Sequence, residues 1–481
     1  MNSTVAASPP RRGVPVLAPA KARERWARRR VAITWGLLVL NVLTFAPGAS
    51  FIPIPSVVGK AITQGSLLVA LLVALTVNRR VIVRPNVFLC LVSLLAIEAI
   101  MTSMQPEFLG SIYRTLRLAE FVAALWLLSP WWGRRDLLLV RCHLTAMSVV
   151  LGSVLVGLAV APGHALAGGR LGGALWPIPA TQVAHYAAVT TGLVVVLWLC
   201  GRIRGRATLL VVIVAGTILI LTHTRTALIA MLTGILVAGL SLFAARARVR
   251  KSFAAAAVIV SIGAITLSSV VTTWLVRGDS GQLLTTLSGR TNVWQLIVNV
   301  PRNHFQVIFG FGLTNGVFNG LPIDSNWLVS YDDQGLFGVT VCATILLFLL
   351  VRAYFEPPGV QRALALLLVT YCLVASFTEV GFTDASTYML DLTVAASLLV
   401  HSVGGSRPGP QPLPSGRPKR GIPGRRPGMR VVPKRARRSR HSRARGHAVR
   451  AVPRRDRWPW LRMRKGDRYQ PFTVARPPAV G

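Results

Sequence analysis

The sequence predicts an all-α polytopic membrane protein with about twelve transmembrane helices, and three observations carry that expectation. The 481 residues are 52% hydrophobic and only 14% charged, where soluble chains carry about 25% charged residues. Apolar runs of roughly 16–25 residues recur from Val31 to Val400, long enough to cross a hydrocarbon core about 30 Å thick. The segments between the runs alternate between basic and charge-poor, as the positive-inside rule requires of an inserted chain. Mean hydropathy is +0.54, and the period-two alternation of a membrane β-barrel is absent.

In chain order the expected spans are residues 31–47, 59–77, 87–104, 113–132, 143–161, 183–200, 208–222, 226–244, 253–275, 335–352, 363–379 and 386–402. With the N-terminus placed inside, the segments 78–86, 132–142, 201–206, 244–252 and 351–362 are cytoplasmic, and each contains Lys or Arg. The segments 47–55, 105–110, 161–181, the turn at 222–225, 277–334 and 378–384 then fall outside, and most are poor in charge. A helix wrongly added or dropped would break this phase, so the alternation supports the whole set. Both termini are expected in the cytoplasm.

The formal net charge is +39, and 23 of the 54 Lys and Arg residues follow Ser406, with 8 more before Val31. Residues 1–30 read as a basic cytoplasmic tail leading into the first membrane helix rather than as a signal peptide. Residues 31–402 form the membrane domain. Residues 403–481 are rich in Arg, Pro, Gly and Ser and read as a disordered cytoplasmic tail. Near its end, cations interleave with Trp458 and Trp460, a pattern suited to anionic lipid head groups at roughly 1 kcal/mol per nearby cation. No nucleic-acid partner is expected. The five cysteines are scattered singly through apolar segments, with no metal-binding spacing. No metal and no cofactor are expected.

The chain has no P-loop, GxSxG or HExxH, so chemistry would rest on polar groups at the outer membrane surface. Arginines stand out there because topology disfavours cations on that side. They are Arg170 in Gly168-Gly-Arg-Leu-Gly-Gly, Arg225 in His223-Thr-Arg-Thr-Ala, Arg290 in Ser288-Gly-Arg-Thr-Asn-Val-Trp, and Arg114 with Arg117. The spacing of Arg114, Arg117 and Glu120 puts all three on one helical face. Guanidinium stays charged and grips phosphate through two hydrogen bonds at once, so clustered arginines suit an anionic substrate. The 277–334 loop adds Gly310 and Gly312, where backbone N–H groups can approach a ligand. It also contains Asn326, and Asp324, Asp332 and Asp333, whose carboxylates could orient or deprotonate a hydroxyl or bind a cation. Helical spacing of apolar residues at 292–300 predicts a helix within this loop. His185 and His304 read as structural.

The order of these segments resembles the bacterial O-antigen ligase/polymerase family. A Thr-Arg-Thr-Ala-Leu helix start at 224–228 precedes a long outer loop. That loop opens with Ser-Gly-Arg-Thr-Asn-Val-Trp, passes through Gly-Phe-Gly-Leu-Thr-Asn-Gly, and closes with Asp-Ser-Asn-Trp-Leu-Val-Ser-Tyr-Asp-Asp-Gln-Gly. The motifs cover about residues 160–350. The resemblance implies a glycosyltransferase C-like membrane fold with a large extracytoplasmic loop between helices 9 and 10. It implies transfer of a glycan from a polyprenyl-diphosphate-linked oligosaccharide to an acceptor glycan. Arg225 and Arg290 match the family's motif arginines, which would hold the diphosphate. Family ligases often carry His-Asn near the end of the loop, where this chain has Asp324-Ser-Asn326, so polymerase and ligase both stand. The alternative is a polysaccharide or anionic-lipid transporter.

Overall fold

The computed structural model describes residues 17–45, 51–104, 109–134, 136–243, 246–266, 290–314 and 316–400. The tail at 403–481, most of the 253–275 span's second half and residues 277–289 of the large loop lie outside the described residues. The protein is mostly helical. Its helices are α1 (Leu17–Asn41), α2 (Ser56–Val77), α3 (Val87–Ser103), α4 (Leu109–Leu128), α5 (Leu138–Val160), the single turn α6 (Pro162–Ala165), α7 (Ala180–Leu199), α8 (Gly205–Leu221), α9 (Arg225–Phe243), α10 (Ala247–Thr266), α11 (Arg290–Val298), α12 (His304–Phe309), α13 (Asn326–Phe355), α14 (Val360–Ala375) and α15 (Thr387–Leu399). One two-stranded antiparallel hairpin, β1 (Val317–Phe318) and β2 (Leu321–Pro322), sits between α12 and α13.

Among the described residues, α2, α5, α7, α9 and α13 are long and apolar enough to cross a membrane, and α3, α8, α14 and α15 are shorter apolar helices. Helix α7 is the hub. In its most apolar window 83% of residues are buried inside the protein, against 33–39% for the other four long helices. It packs on α5, α8, α9 and α14. Small residues let these helices approach: a Cβ at Gly192 would come within 3.0 Å of Leu367 Cδ1, and one at Gly234 within 2.9 Å of the Leu367 carbonyl oxygen. Close backbone contact of this kind is how helices associate where apolar side chains gain nothing from leaving water. Outward faces stay apolar and uncovered, as with Leu209, Leu210 and Ile213 on α8 and Val149 and Val156 on α5.

Local signals explain the boundaries. Asn86 caps α3 by accepting from the Phe88 N–H at 2.9 Å, and Ser386 caps α15 by accepting from the Met389 N–H at 3.1 Å. Asn303 and Gln306 form a reciprocal capping box at the start of α12. Two expectations shift. The first helix begins at Leu17 rather than near residue 31, so the residues from Leu17 to Val31 are helical, with Arg23, Arg25 and Arg29 exposed. The helix expected from residue 335 begins at Asn326, with a break at Gly335 (φ 61°, ψ −158°) inside it. Ser330, Asp332, Asp333 and Gln334 looked like loop because they are polar, yet they are buried.

That break is fixed by close backbone packing. The Phe311 N–H donates to the Asp332 carbonyl at 2.8 Å and the Gly312 N–H to the Asp333 carbonyl at 2.9 Å. A Cβ at Gly310 would collide with the Asp333 backbone, and one at Gly335 with the Ile308 backbone. Both glycines have positive φ, the region open to glycine at least cost. Helix α11 lies where the sequence placed a loop helix. Its Val293 and Ile297 form a small core with Ile323 and Val329.

Candidate functional site

A cavity of about 460 Å³ opens at one end of the helices. It lies where the flanks of the segments 47–55, 105–110, 161–181, 277–334 and 378–384 converge. Its lining includes Asn41, Lys60, Tyr113, Arg114, Arg117 and Gln182, and from the second half of the chain Thr314, Asp333, Glu379, Asp384 and Tyr388.

Helix α4 supplies the two arginines one turn apart, so both heads reach the same wall. Arg117 donates to Asp384 Oδ2 (3.3 Å), to the Asn41 carbonyl (3.2 Å) and to the Ala385 carbonyl (3.1 Å). Arg114 donates to the Thr314 carbonyl at 2.6 Å and lies 3.6 Å from the same Asp384 oxygen. Thr314 in turn donates to Asp333 Oδ1 through its N–H (2.9 Å) and hydroxyl (2.7 Å). One threonine therefore links a cation on α4 to a carboxylate on α13. The other side is shaped by Asn326, whose side-chain oxygen accepts from the Gly381 and Phe382 N–H groups at 3.1 and 2.8 Å. This pins the loop that presents Asp384. Gln182 ties α7 to the chain after α1, accepting from the Thr44 N–H and donating to the Val42 carbonyl.

The lining carries Lys60, Arg114 and Arg117 against Asp333, Glu379 and Asp384, so the formal charges balance. The arginines are nonetheless the stronger hand for a ligand. Each guanidinium has five N–H donors, and the side chains of Arg114 and Arg117 are 26% and 20% exposed. A diphosphate could compete with Asp384 for them, while Asp333 stands within the same wall to accept a proton.

The other sequence candidates are distributed differently. Arg170 does not line the cavity. It donates to the Thr222 carbonyl (3.0 Å) and the Thr224 hydroxyl (3.1 Å), clamping the 161–181 segment onto the turn that leads into Arg225. Arg225 opens α9 next to Thr226, whose hydroxyl lies 2.8 Å from that of Thr378. Arg290 opens α11, and its side chain lies outside the described residues. Asp332 pairs with Arg302 at 2.8 Å. The approach that Gly310 and Gly312 permit is made by the α13 backbone. Asp324 is half-buried just ahead of α13. Of the sequence-predicted residues, Arg114, Arg117 and Asp333 therefore meet at the cavity.

Sequence reasoning missed Lys60, Glu379, Asp384 and Arg302, and passed over His143 and Asp391 entirely. A signal existed for the last two, because each is an ionisable residue inside an apolar run, where such residues are costly. Searched against protein-family models, the chain matches none, and no curated protein matches it.

Proposed function

We propose that this chain is a multi-pass protein of the cytoplasmic membrane, with both termini in the cytoplasm. In this reading its cavity transfers a glycan from a polyprenyl-diphosphate-linked donor to an acceptor glycan on the outer face. One observation carries the reading: Arg114, Arg117 and Asp333 share a single cavity, at the end where the charge-poor segments gather. The uncovered apolar helix faces support the membrane setting.

In this mechanism a hydroxyl oxygen of the acceptor attacks the anomeric carbon of the donor. The bond from that carbon to the diphosphate oxygen breaks, and the diphosphate leaves with the electron pair. Arg114 and Arg117 stabilise the negative charge that grows there, taking the role that the resemblance gives to Arg225 and Arg290. Asp333, held by Thr314, accepts the hydroxyl proton. The donor already contains the activated bond, so no nucleotide takes part. Much of the rate comes from holding the two sugars in line.

The test uses the full chain in proteoliposomes with lipid-linked oligosaccharide. Arg114→Ala should slow glycan elongation by at least about 10²-fold, the scale of losing one oxyanion-stabilising donor. Unchanged elongation removes Arg114 from the mechanism. A transporter of polysaccharide or anionic lipid is the second reading, favoured by the ionisable groups buried between helices at His143, His185 and Asp391. It predicts movement of the lipid-linked oligosaccharide across the bilayer with no lengthening of its glycan.

A further inference from the structure

Three ionisable side chains meet inside the helices, beneath the cavity rather than in its lining. His143 on α5, His185 on α7 and Asp391 on α15 are 1%, 2% and 0% exposed. His143 Nε2 lies 2.7 Å from Asp391 Oδ1, and His185 Nε2 lies 2.9 Å from Asp391 Oδ2. A carboxylate this far from water persists only with a compensating charge and hydrogen bonds.

The outer ring nitrogens decide who supplies the charge. Trp35 Nε1 lies 3.2 Å from His143 Nδ1, and an indole N–H can only donate. His143 Nδ1 is therefore an acceptor. Its single proton sits on Nε2 and is donated to Asp391, and the ring is neutral. His185 Nδ1 instead faces the Tyr371 hydroxyl at 3.4 Å, a group that donates or accepts equally well. His185 is thus the ring of this cluster that can hold either one proton or two. With two, its charge balances Asp391. With one, Asp391 is a bare anion in the interior.

The cluster is also placed asymmetrically. The His185 ring packs edge-on against Tyr388 with centroids 4.4 Å apart, and Tyr388 lines the cavity. Gln182, also in the lining, donates to the Tyr186 hydroxyl at 3.2 Å, and Tyr186 packs on His185. On the other side His143 is sealed by the fully buried Trp35. Helix α15 runs on from Tyr388 to Leu399, so about 17 Å separates the cavity floor from its far end. The remaining titratable groups around the pair are Tyr186 on α7, Tyr371 and Cys372 on α14, Tyr388 on α15, and Glu379 in the loop ahead of α15.

We propose that Asp391 and His185 form a proton-binding site that exchanges with the cavity and is closed toward the opposite end by His143 and Trp35. The proton bound there neutralises a buried anion directly under Tyr388, so its gain or loss acts on the cavity floor from below. Because His143 Nδ1 is blocked by an N–H, the path ends there and is not a proton wire through the protein. This holds whichever chemistry the cavity performs.

The test is ¹⁵N NMR of the full chain, labelled at histidine and held in lipid nanodiscs, with His143→Gln and His185→Gln used to assign the signals. Across a pH series His185 should change between one proton and two, while His143 keeps one, on Nε2. Trp35→Phe should free His143 Nδ1 to take a second proton. A His185 that keeps one protonation state across the series, a doubly protonated His143, or a Trp35→Phe spectrum identical to that of the unsubstituted protein would each overturn the proposal. Should the Gln variants not fold, the unsubstituted protein still decides it. One imidazole in through-space contact with the Tyr388 ring must change its protonation across the series, and its absence defeats the assignment.

Discussion

The two ends of the helices use the same chemistry, arginine against carboxylate, for opposite purposes. At the cavity end Arg114 and Arg117 share Asp384 and are each anchored to backbone carbonyls. At the other end Glu24 and Asp136 bridge Arg28 and Arg134, with side chains between 25% and 48% exposed. There Arg30 reaches the Thr76 carbonyl, and Arg246 and Arg248 reach the carbonyls of Cys200 and Trp198. The basic end is a solvated fringe that finishes helix ends, where each ion pair contributes little. The cavity end keeps its pairs half-sheltered, which makes them more costly to lose and available to a charged ligand. Position, not residue type, separates the two roles.

The largest expected effect follows from the most sheltered arginine–carboxylate pair among the described residues. Arg302 and Asp332 are 3% and 5% exposed in their side chains. The Arg302 guanidinium also stacks over Phe311 and Tyr331 at 4.6 and 4.4 Å. Arg302→Ala removes the cation and leaves Asp332 buried without it, at a cost of about 3–5 kcal/mol. Thermal unfolding in nanodiscs should show this as a clear drop in midpoint. A midpoint equal to that of the unsubstituted protein would mean that the segment from α12 to the Gly335 break is not held by this pair.

A smaller effect, but one with a diagnostic sign, is expected at Asp384. Asp384→Asn removes the carboxylate shared by Arg114 and Arg117, whose side chains remain partly open to solvent. Stability should fall by no more than about 1 kcal/mol once solvent screening is counted. Affinity for inorganic pyrophosphate should rise, because the arginines lose their internal competitor. Calorimetric titration reads this directly. Weaker pyrophosphate binding would mean that Asp384 positions the arginines rather than competing for them.

Which parts of this were legible in the sequence follows from how far each cause reaches along the chain. The apolar runs and their basic or charge-poor borders are local, so most helices and the grouping of segments at one end could be read directly. Arg114 and Arg117 were legible as one helical face because three residues separate them. Asp384 lies 267 residues from Arg117, and no local pattern points from one to the other. The start of α13 at Asn326 was hidden for another reason. Its first turns are polar because they are satisfied by partners elsewhere, such as Asn326 by the 381–382 backbone and Asp332 by Arg302. Gly310 read as room for a ligand, whereas the room is taken by the chain's own backbone at Asp333. Arginines converge at Arg114 and Arg117, Arg170 is spent on the Thr222–Thr224 turn, and the Arg290 side chain expected beside Arg225 lies outside the described residues.

The smallest expected effect comes from the basic end, and it has a pH sign. Hydrogen bonds from Arg28 and then Arg134 hold the Glu24 carboxyl below its ordinary value. A carboxylate so held binds protons less readily in the folded chain than in the unfolded one. Its contribution is therefore complete above the unfolded value near pH 4.3 and fades as pH falls through the lower folded value. Glu24 is solvated, so the gain is slight and screened by salt. Glu24→Gln should leave the unfolding midpoint at pH 7 almost unchanged and make the variant and the unsubstituted protein converge further below about pH 4. It should leave pyrophosphate binding untouched, in contrast to Asp384→Asn. If Glu24→Gln altered pyrophosphate affinity as strongly, the division of labour between the two ends would fail, because a fringe ion pair would then be acting on the cavity from the far side of the helices.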